Sequence, residues 1–310
     1  MLPARYRFDN MGTRRLVIDI GTNSVLALLS DITGNRLSVI LDQKQTTRLG
    51  EGLSATGKIS PPALRRTAEA VIGFAEDNNF DELLMVGTEA LRLASNSNEF
   101  LEMIKSVLGQ KPVIVSGLKE AELSFLGAIY NLDTKFENTL LIDVGGGSTE
   151  LVLARGEALL RAISIPIGAL KLKETTSGNG LETYMMKARE IGLETVTDFE
   201  VDPKAAILAT GGTITSVAAI KAGLDRFNSA LIHGSFLSEG DMREIASKFE
   251  HTDSLGRARL IPFDPERAEL ILPGLGIFLA IMGITDKRSL IVSAGGLRFG
   301  VALYPDKLLP

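Results

Sequence analysis

The chain has 310 residues, 45% apolar and 23% charged, with a net charge of −5, which is an ordinary globular composition and long enough for two hydrophobic cores. There is no cysteine and there are two histidines, His233 and His251, so disulfides, thiolate centres and a multi-histidine zinc site are excluded and any metal should be a hard cation on carboxylates and water. The acidic balance excludes general nucleic-acid binding, and no run of roughly 18 apolar residues predicts a membrane span.

Residues 1–11 carry basic residues but no apolar core of a signal peptide, and they read as an N-terminal extension of a cytoplasmic protein. The first strand is predicted over 16–20, stopped by Gly21; after Thr22-Asn23-Ser24 the apolar pattern resumes over 25–30, giving a β-hairpin with a small polar turn. A third strand is expected at 37–42. Ser60-Pro61-Pro62 supplies an N-cap with proline in the first turn and opens a helix to about residue 77, with the stripe Leu64, Ala68, Val71, Ile72 and Ala75. A buried strand at 83–87, a helix near 97–108, a strand at 113–115 and a helix over 119–130 follow. On that last helix Glu120, Ser124 and Gly127 share one face, while Leu123, Leu126 and Tyr130 form the apolar one.

At residue 140 the opening pattern returns. Leu141-Ile142-Asp143-Val144-Gly145-Gly146-Gly147-Ser148 aligns with Val17-Ile18-Asp19-Ile20-Gly21-Thr22-Asn23-Ser24. A second pair follows, Ile207-Leu208-Ala209-Thr210-Gly211-Gly212 and Ile291-Val292-Ser293-Ala294-Gly295-Gly296, each a buried strand ending in two glycines. One such hairpin alone would be an ordinary glycine turn. Two hairpins and two strand-Gly-Gly ends predict duplicated α/β domains whose turns face one ligand across a cleft.

Phosphate oxygens need backbone N–H donors that approach closely, and glycine permits that approach. Gly145, Gly146, Gly147 and Ser148 supply such a turn, with Thr22, Asn23 and Ser24 opposite. Asp143 precedes the turn and Glu150 follows it on the adjacent strand, so both carboxylates can reach one Mg²⁺, or a similar cation such as Mn²⁺, with Asp19 at the equivalent place in the first half. Glu120 either complements its helix dipole or, if its face looks into the cleft, acts as a general base. Arg48, Arg92, Arg267 and Arg298 are cations suited to phosphate by their forked geometry, although taken singly each reads as a surface residue.

These stretches resemble successive motifs of the exopolyphosphatase/guanosine pentaphosphate phosphohydrolase (Ppx/GppA) family. The matches are residues 17–24, Arg48-Leu49-Gly50-Glu51-Gly52-Leu53, Gly87-Thr88-Glu89-Ala90-Leu91-Arg92, Ser116-Gly117-x-x-Glu120-Ala121, residues 142–151, Thr210-Gly211-Gly212-Thr213 and Glu266-Arg267-Ala268-Glu269. The resemblance implies two actin-like (hexokinase- or Hsp70-like, ribonuclease H-like) domains flanking an active-site cleft. Domain I would span 12–127 plus 298–310 and domain II 128–297, with the crossings near Gly127 and Arg298 as hinges. It further implies Mg²⁺-dependent release of terminal phosphate from inorganic polyphosphate or from pppGpp. Glu120 would be the base that activates water, Asp143 and Glu150 would hold Mg²⁺, and Arg92 would bind phosphate. The 145–148 turn, Gly212 and Thr213 would cradle that phosphate, and a homodimer is a further family expectation.

Glu122 stands where the family commonly has arginine, implying a less positive site, and the chain lacks the C-terminal helical domains of longer members, implying short substrates. The rivals are a kinase of the same superfold and a polyphosphate or alarmone sensor without turnover.

Overall fold

A computed structural model describes residues 12–178 and 180–308, so the extension expected over 1–11 lies outside the described residues. The first half contains β1 (Thr13–Ile20), β2 (Ser24–Thr33), β3 (Arg36–Thr46), α1 (Leu53–Thr56), α2 (Pro61–Glu76), β4 (Glu82–Gly87), α3 (Glu89–Leu93), α4 (Ser97–Leu108), β5 (Val113–Ile114) and α5 (Gly117–Ala128). The second contains β6 (Asn138–Val144), β7 (Thr149–Arg155), β8 (Ala158–Ile165), α6 (Ala169–Thr175), α7 (Leu181–Ile191), β9 (Ala206–Thr210), α8 (Gly212–Lys221), α9 (Ser229–Ile232), β10 (Phe236–Ser238), α10 (Glu239–Glu250), α11 (Ser254–Leu260), α12 (Ala268–Ile284) and β11 (Ser289–Val292). The last helix is α13 (Leu297–Leu303).

The strands form two sheets, ordered β3-β2-β1-β4-β5 and β10-β11-β9-β6-β7-β8. Apart from the added edge strand β10, the second repeats the first, with β6, β7, β8, β9 and β11 in the places of β1 to β5. In each, an antiparallel hairpin feeds a central strand that then pairs in parallel with the next one, β4 or β9. This is the duplicated α/β arrangement expected from the two hairpins and the actin-like architecture that the family resemblance implies.

Alternation along β1 explains how both faces of its sheet are covered. Leu16, Ile18 and Ile20 join Leu64 and Val71 of α2 in one core, while Val17 packs with Leu28, Val86, Leu297 and Val301 in another. The α2 start is capped as its sequence predicts, the Ser60 hydroxyl accepting from the Ala63 amide at 3.4 Å. In the second lobe Leu140, Ile142 and Val144 face α12 and α7, and Leu141, Val152 and Leu208 face α5. Pro265–Ile284, with a mean hydropathy of 1.7, is long and apolar enough to cross a bilayer, but it is 78% buried as the central core helix of this lobe.

Helices α5 and α13 cross between the two sheets, and glycine sets how closely. A Cβ on Gly127 would lie 2.0 Å from the Gly296 carbonyl oxygen, and one on Gly300 would lie 1.9 Å from that of Leu123. The expected apolar face of α5 is thereby corrected. Leu123 packs into the first lobe, Phe125 and Leu126 into the second, and Gly127 makes room for α13 rather than for a ligand. The division expected at 127/128 and 297/298 runs through this crossing, and α5 packs on both sides of it.

Candidate active site

Both hairpin turns are held by the same bond, Gly21 N–H to Ser24 O at 3.0 Å and Gly145 N–H to Ser148 O at 3.0 Å. The first is clamped from outside: the Thr47 and Arg48 amides donate to Asn23 O at 3.0 and 2.8 Å, and Gly50 N–H donates to Thr22 O at 2.8 Å. The second is clamped by α6, whose Ala169 and Leu170 amides donate to Gly145 O and Gly146 O, each at 2.9 Å. The turns meet closely enough that a Cβ on Gly146 would stand 3.1 Å from the Asn23 nitrogen. Turn residues from the two lobes therefore line one cleft of about 500 Å³, a size suited to a small anionic ligand.

Strand pairing places the acids. Asp143 sits directly opposite Glu150 on β6 and β7, and Asp19 takes the matching place on β1, opposite Leu26. Glu120 enters from the first turn of α5, a helix capped by the Ser116 hydroxyl, which accepts from Lys119 N–H at 3.2 Å. All four acids line the cleft. Loss of hydration pushes Asp19 up to about 7, against the pull of Arg298 and with the push of Asp143. It pushes Glu120 up to about 8, with Arg92 acting in the opposite sense. Burial likewise raises Asp143, which the Ser124 hydroxyl and Arg298 oppose, and raises Glu150 well above its usual range, helped by Glu120 and Asp143. Glu150 is oriented by the Ser164 hydroxyl, which donates to Oε1 at 2.7 Å.

Such a cluster fits a hard divalent cation. Oδ1 of Asp19 is buried without a hydrogen-bond partner, and the cleft gathers acids that burial keeps from ionising, which a cation would reverse. Among the described residues no three carboxylates close on a single point.

Of the remaining candidates, Thr22, Asn23, Ser24, Gly145, Gly146, Gly147, Ser148, Gly212, Thr213, Arg267 and Arg298 all line the cleft. Arg92 does not; it stands behind Glu120, with Nη1 2.5 Å from Oε2 and 2.9 Å from the Val115 carbonyl oxygen. Arg48 is a correction. Its side chain is exposed and away from the cleft, and its positive φ of 49° turns its amide onto the first hairpin. Glu122 is another correction, because it bonds Lys119 and Lys307 and does not face the cleft.

Sequence reasoning missed four residues here. Asp42 holds the Arg298 fork at 3.1 and 2.8 Å, and Lys44 and Arg267 both bond Asp264. Glu89 lies under the second turn, where a Cβ on Gly147 would be 1.6 Å from its Oε2. Only Glu89 had a signal, as a buried-looking acid inside a quoted motif.

Two actin-like lobes, facing glycine turns and a buried acid cluster in the cleft between them define a class of phosphate-handling proteins of the actin-like superfold. Within that class, the chain belongs to the Ppx/GppA phosphatase family, whose model matches residues 28–306. It is 30% identical to Exopolyphosphatase 2 of Mycobacterium tuberculosis over 277 residues, covering 84% of this chain and 86% of that protein. The crystal structure of the Aquifex aeolicus Ppx/GppA family member superposes with a TM-score of 0.78 at 29% identity, over 95% of this chain and 98% of that one. An exopolyphosphatase from Cytophaga hutchinsonii shares the fold with a TM-score of 0.84 at 21% identity, over 94% of this chain and 97% of that one.

Proposed function

We propose that this phosphatase is a Mg²⁺-dependent phosphohydrolase of the cytoplasm that releases the terminal phosphate of inorganic polyphosphate, and of pppGpp through the same cleft. What supports the reading is one juxtaposition: Glu120 from α5, the Asp143–Glu150 pair and the two glycine turns share one cavity wall. The names of the relatives add to it.

The terminal phosphate lies between the turns, its oxygens met by the amides of residues 145–148 and by Thr22, Asn23 and Ser24. Glu120 accepts the proton of the attacking water. Its buried position raises its affinity for a proton, and Arg92 draws it back toward ionisation. Asp143 and Glu150 would hold Mg²⁺, which when bound neutralises phosphate oxygens and polarises phosphorus. Thr213 and Gly212 bound the far side of the cradle, where a Cβ on Gly274 of α12 would press to 2.2 Å from the Thr213 hydroxyl. In-line phosphoryl transfer asks for positioning and electrostatics more than covalent help, and these residues supply both.

The test is phosphate release with Mg²⁺ from polyphosphates of defined length and from pppGpp, beside Glu120→Gln. Native turnover that the substitution lowers by about 10²–10⁴-fold, with ligand affinity kept, is the expected result. Equal turnover by the two proteins would remove Glu120 from the reaction. Binding without turnover by the native chain would leave a sensor.

A further inference from the structure

Six acids and three cations line the cleft, and four of the acids, Asp19, Glu120, Asp143 and Glu150, are ones that burial keeps from ionising. The cations are Lys44, Arg267 and Arg298. Arg298 is committed, its fork closed on both oxygens of Asp42. Among the described lining residues, Lys44 and Arg267 are the cations left to meet a phosphate beyond the terminal one.

Those two share a single acceptor. Lys44 Nζ bonds Oδ2 of Asp264, and Arg267 Nε donates to the same oxygen at 2.8 Å. The side chains of Asp264 and Arg267 are 13% and 12% exposed and that of Lys44 is 26% exposed, so the group is packed rather than waving in solvent. It also spans the cleft, since Lys44 belongs to β3 of the first sheet while Asp264 and Arg267 precede α12 in the second lobe. Arg267 engages Asp264 by Nε, which leaves its Nη edge over the end of β9. A Cβ on Gly212 would be 2.0 Å from Nη1. The guanidinium thus lies on the same glycine turn that bounds the terminal-phosphate cradle.

Two cations and one carboxylate carry one net positive charge, enough for the charge of one further phosphate. A longer chain brings more negative charge past Asp264 with no further cation among the described lining residues to meet it, and in a partly desolvated cleft that repulsion is not fully screened.

We propose that Lys44 and Arg267 form a subsite for a phosphate distal to the one cleaved. Asp264, by holding Lys44 across the cleft beside Arg267 and neutralising one of their two charges, makes this cleft selective for short phosphate chains. The inference rests on the reading that the cleft takes phosphate chains and adds the residue that sets their length.

The experiment compares native protein with Asp264→Asn on tripolyphosphate and on a long-chain polyphosphate, with Mg²⁺, at low and at physiological ionic strength. The amide keeps the shape and one acceptor but removes the charge. KM for the long chain should fall on the order of fivefold at low salt and less at high salt, while KM for tripolyphosphate changes little and kcat for tripolyphosphate is kept. Asp264→Glu should keep the native ratio between the two substrates. Lys44→Met should raise KM for both, with kcat retained. An unchanged ratio of long to short KM in Asp264→Asn, or an equal loss on both substrates, overturns the proposal. Should Asp264→Asn fail to fold, native-like KM values in Lys44→Met overturn it equally. If the native protein releases no phosphate, the phosphohydrolase reading falls, and direct binding of the same two polyphosphates to the same variants decides the subsite separately.

Discussion

Stability should fall as pH rises in the absence of a divalent cation, because the cleft gathers acids that resist ionisation. Burial holds Asp19 at about 7 and Glu120 at about 8, against ordinary values of 3.8 and 4.5. An acid raised by folding carries a proton in the native state that the unfolded chain has already lost. Its stabilising contribution is complete below the unfolded pKa and drains away as pH climbs through the folded one. The window here is about pH 4 to 8. At about 1.4 kcal/mol per pK unit, Asp19 and Glu120 taken singly would each forfeit about 4–5 kcal/mol across it. The acids lose protons as a cluster, so between about pH 5.5 and pH 8 a combined loss of about 3–5 kcal/mol is expected. A cation that binds only the ionised native cluster reverses this by mass action. At about 2 °C per kcal/mol, protein in chelator should melt about 5–10 °C lower at the higher pH. Millimolar Mg²⁺ should recover most of that loss there and little at the lower pH. Thermal unfolding in four buffers, two pH values with and without Mg²⁺, reads it directly. A Tm in chelator that rises with pH, or a Mg²⁺ shift equal at both pH values, would refute the reasoning.

Three further outcomes follow from single contacts. Arg92→Met removes the charge that lowers Glu120, so the base ionises at higher pH and the acidic limb of the pH–rate profile should move upward; an unmoved limb would mean that Glu120 does not set it. Ser164→Ala takes away the hydroxyl 2.7 Å from Glu150 Oε1 and should raise the Mg²⁺ concentration for half-maximal activity about tenfold, checked by cation titration. Gly300→Ala drives a methyl group to 1.9 Å from the Leu123 carbonyl oxygen, so a loss of about 1–3 kcal/mol or more is expected, and a native Tm would show that the helix crossing gives way freely.

The legible parts were those written in local periodicity. Alternation and glycine stops placed β1, β2, β6 and β7, and the register that brings Asp143 opposite Glu150 follows from a short turn between two strands. The repeat accounts for the two sheets sharing one strand order, but the order itself was not read from the sequence. What stayed hidden depends on contacts between distant stretches. Asp42 meets Arg298 across 256 positions and Lys44 meets Asp264 across 220, and β3 alone reads as an ordinary edge strand. No periodicity announces such a meeting. Glu122 shows the converse, for a residue judged by its position in a motif can be turned away by one helical step and paired with a lysine of the chain's last turn.

The two hairpins are alike in bond pattern and unlike in charge, and that difference assigns their work. Residue 26, facing Asp19 across the first hairpin, is leucine, whereas residue 150, facing Asp143 across the second, is glutamate. A carboxylate at both places would put a further acid into a wall where Asp19 already resists ionisation. With leucine there, the first hairpin offers a single acid and the hydroxyl and amide groups of Thr22, Asn23 and Ser24. The second lobe offers the acid pair and a turn whose glycines expose bare amides. On the proposed reading, cation and terminal phosphate would both be held chiefly by the second lobe, while the first would contribute Glu120 through α5 and cover the site. Since α5 is pinned between both sheets by the Gly127 and Gly300 contacts, Glu120 keeps its place relative to the Asp143–Glu150 pair. Motion of the rest of the first lobe would change access to the cleft before it changed the geometry of attack.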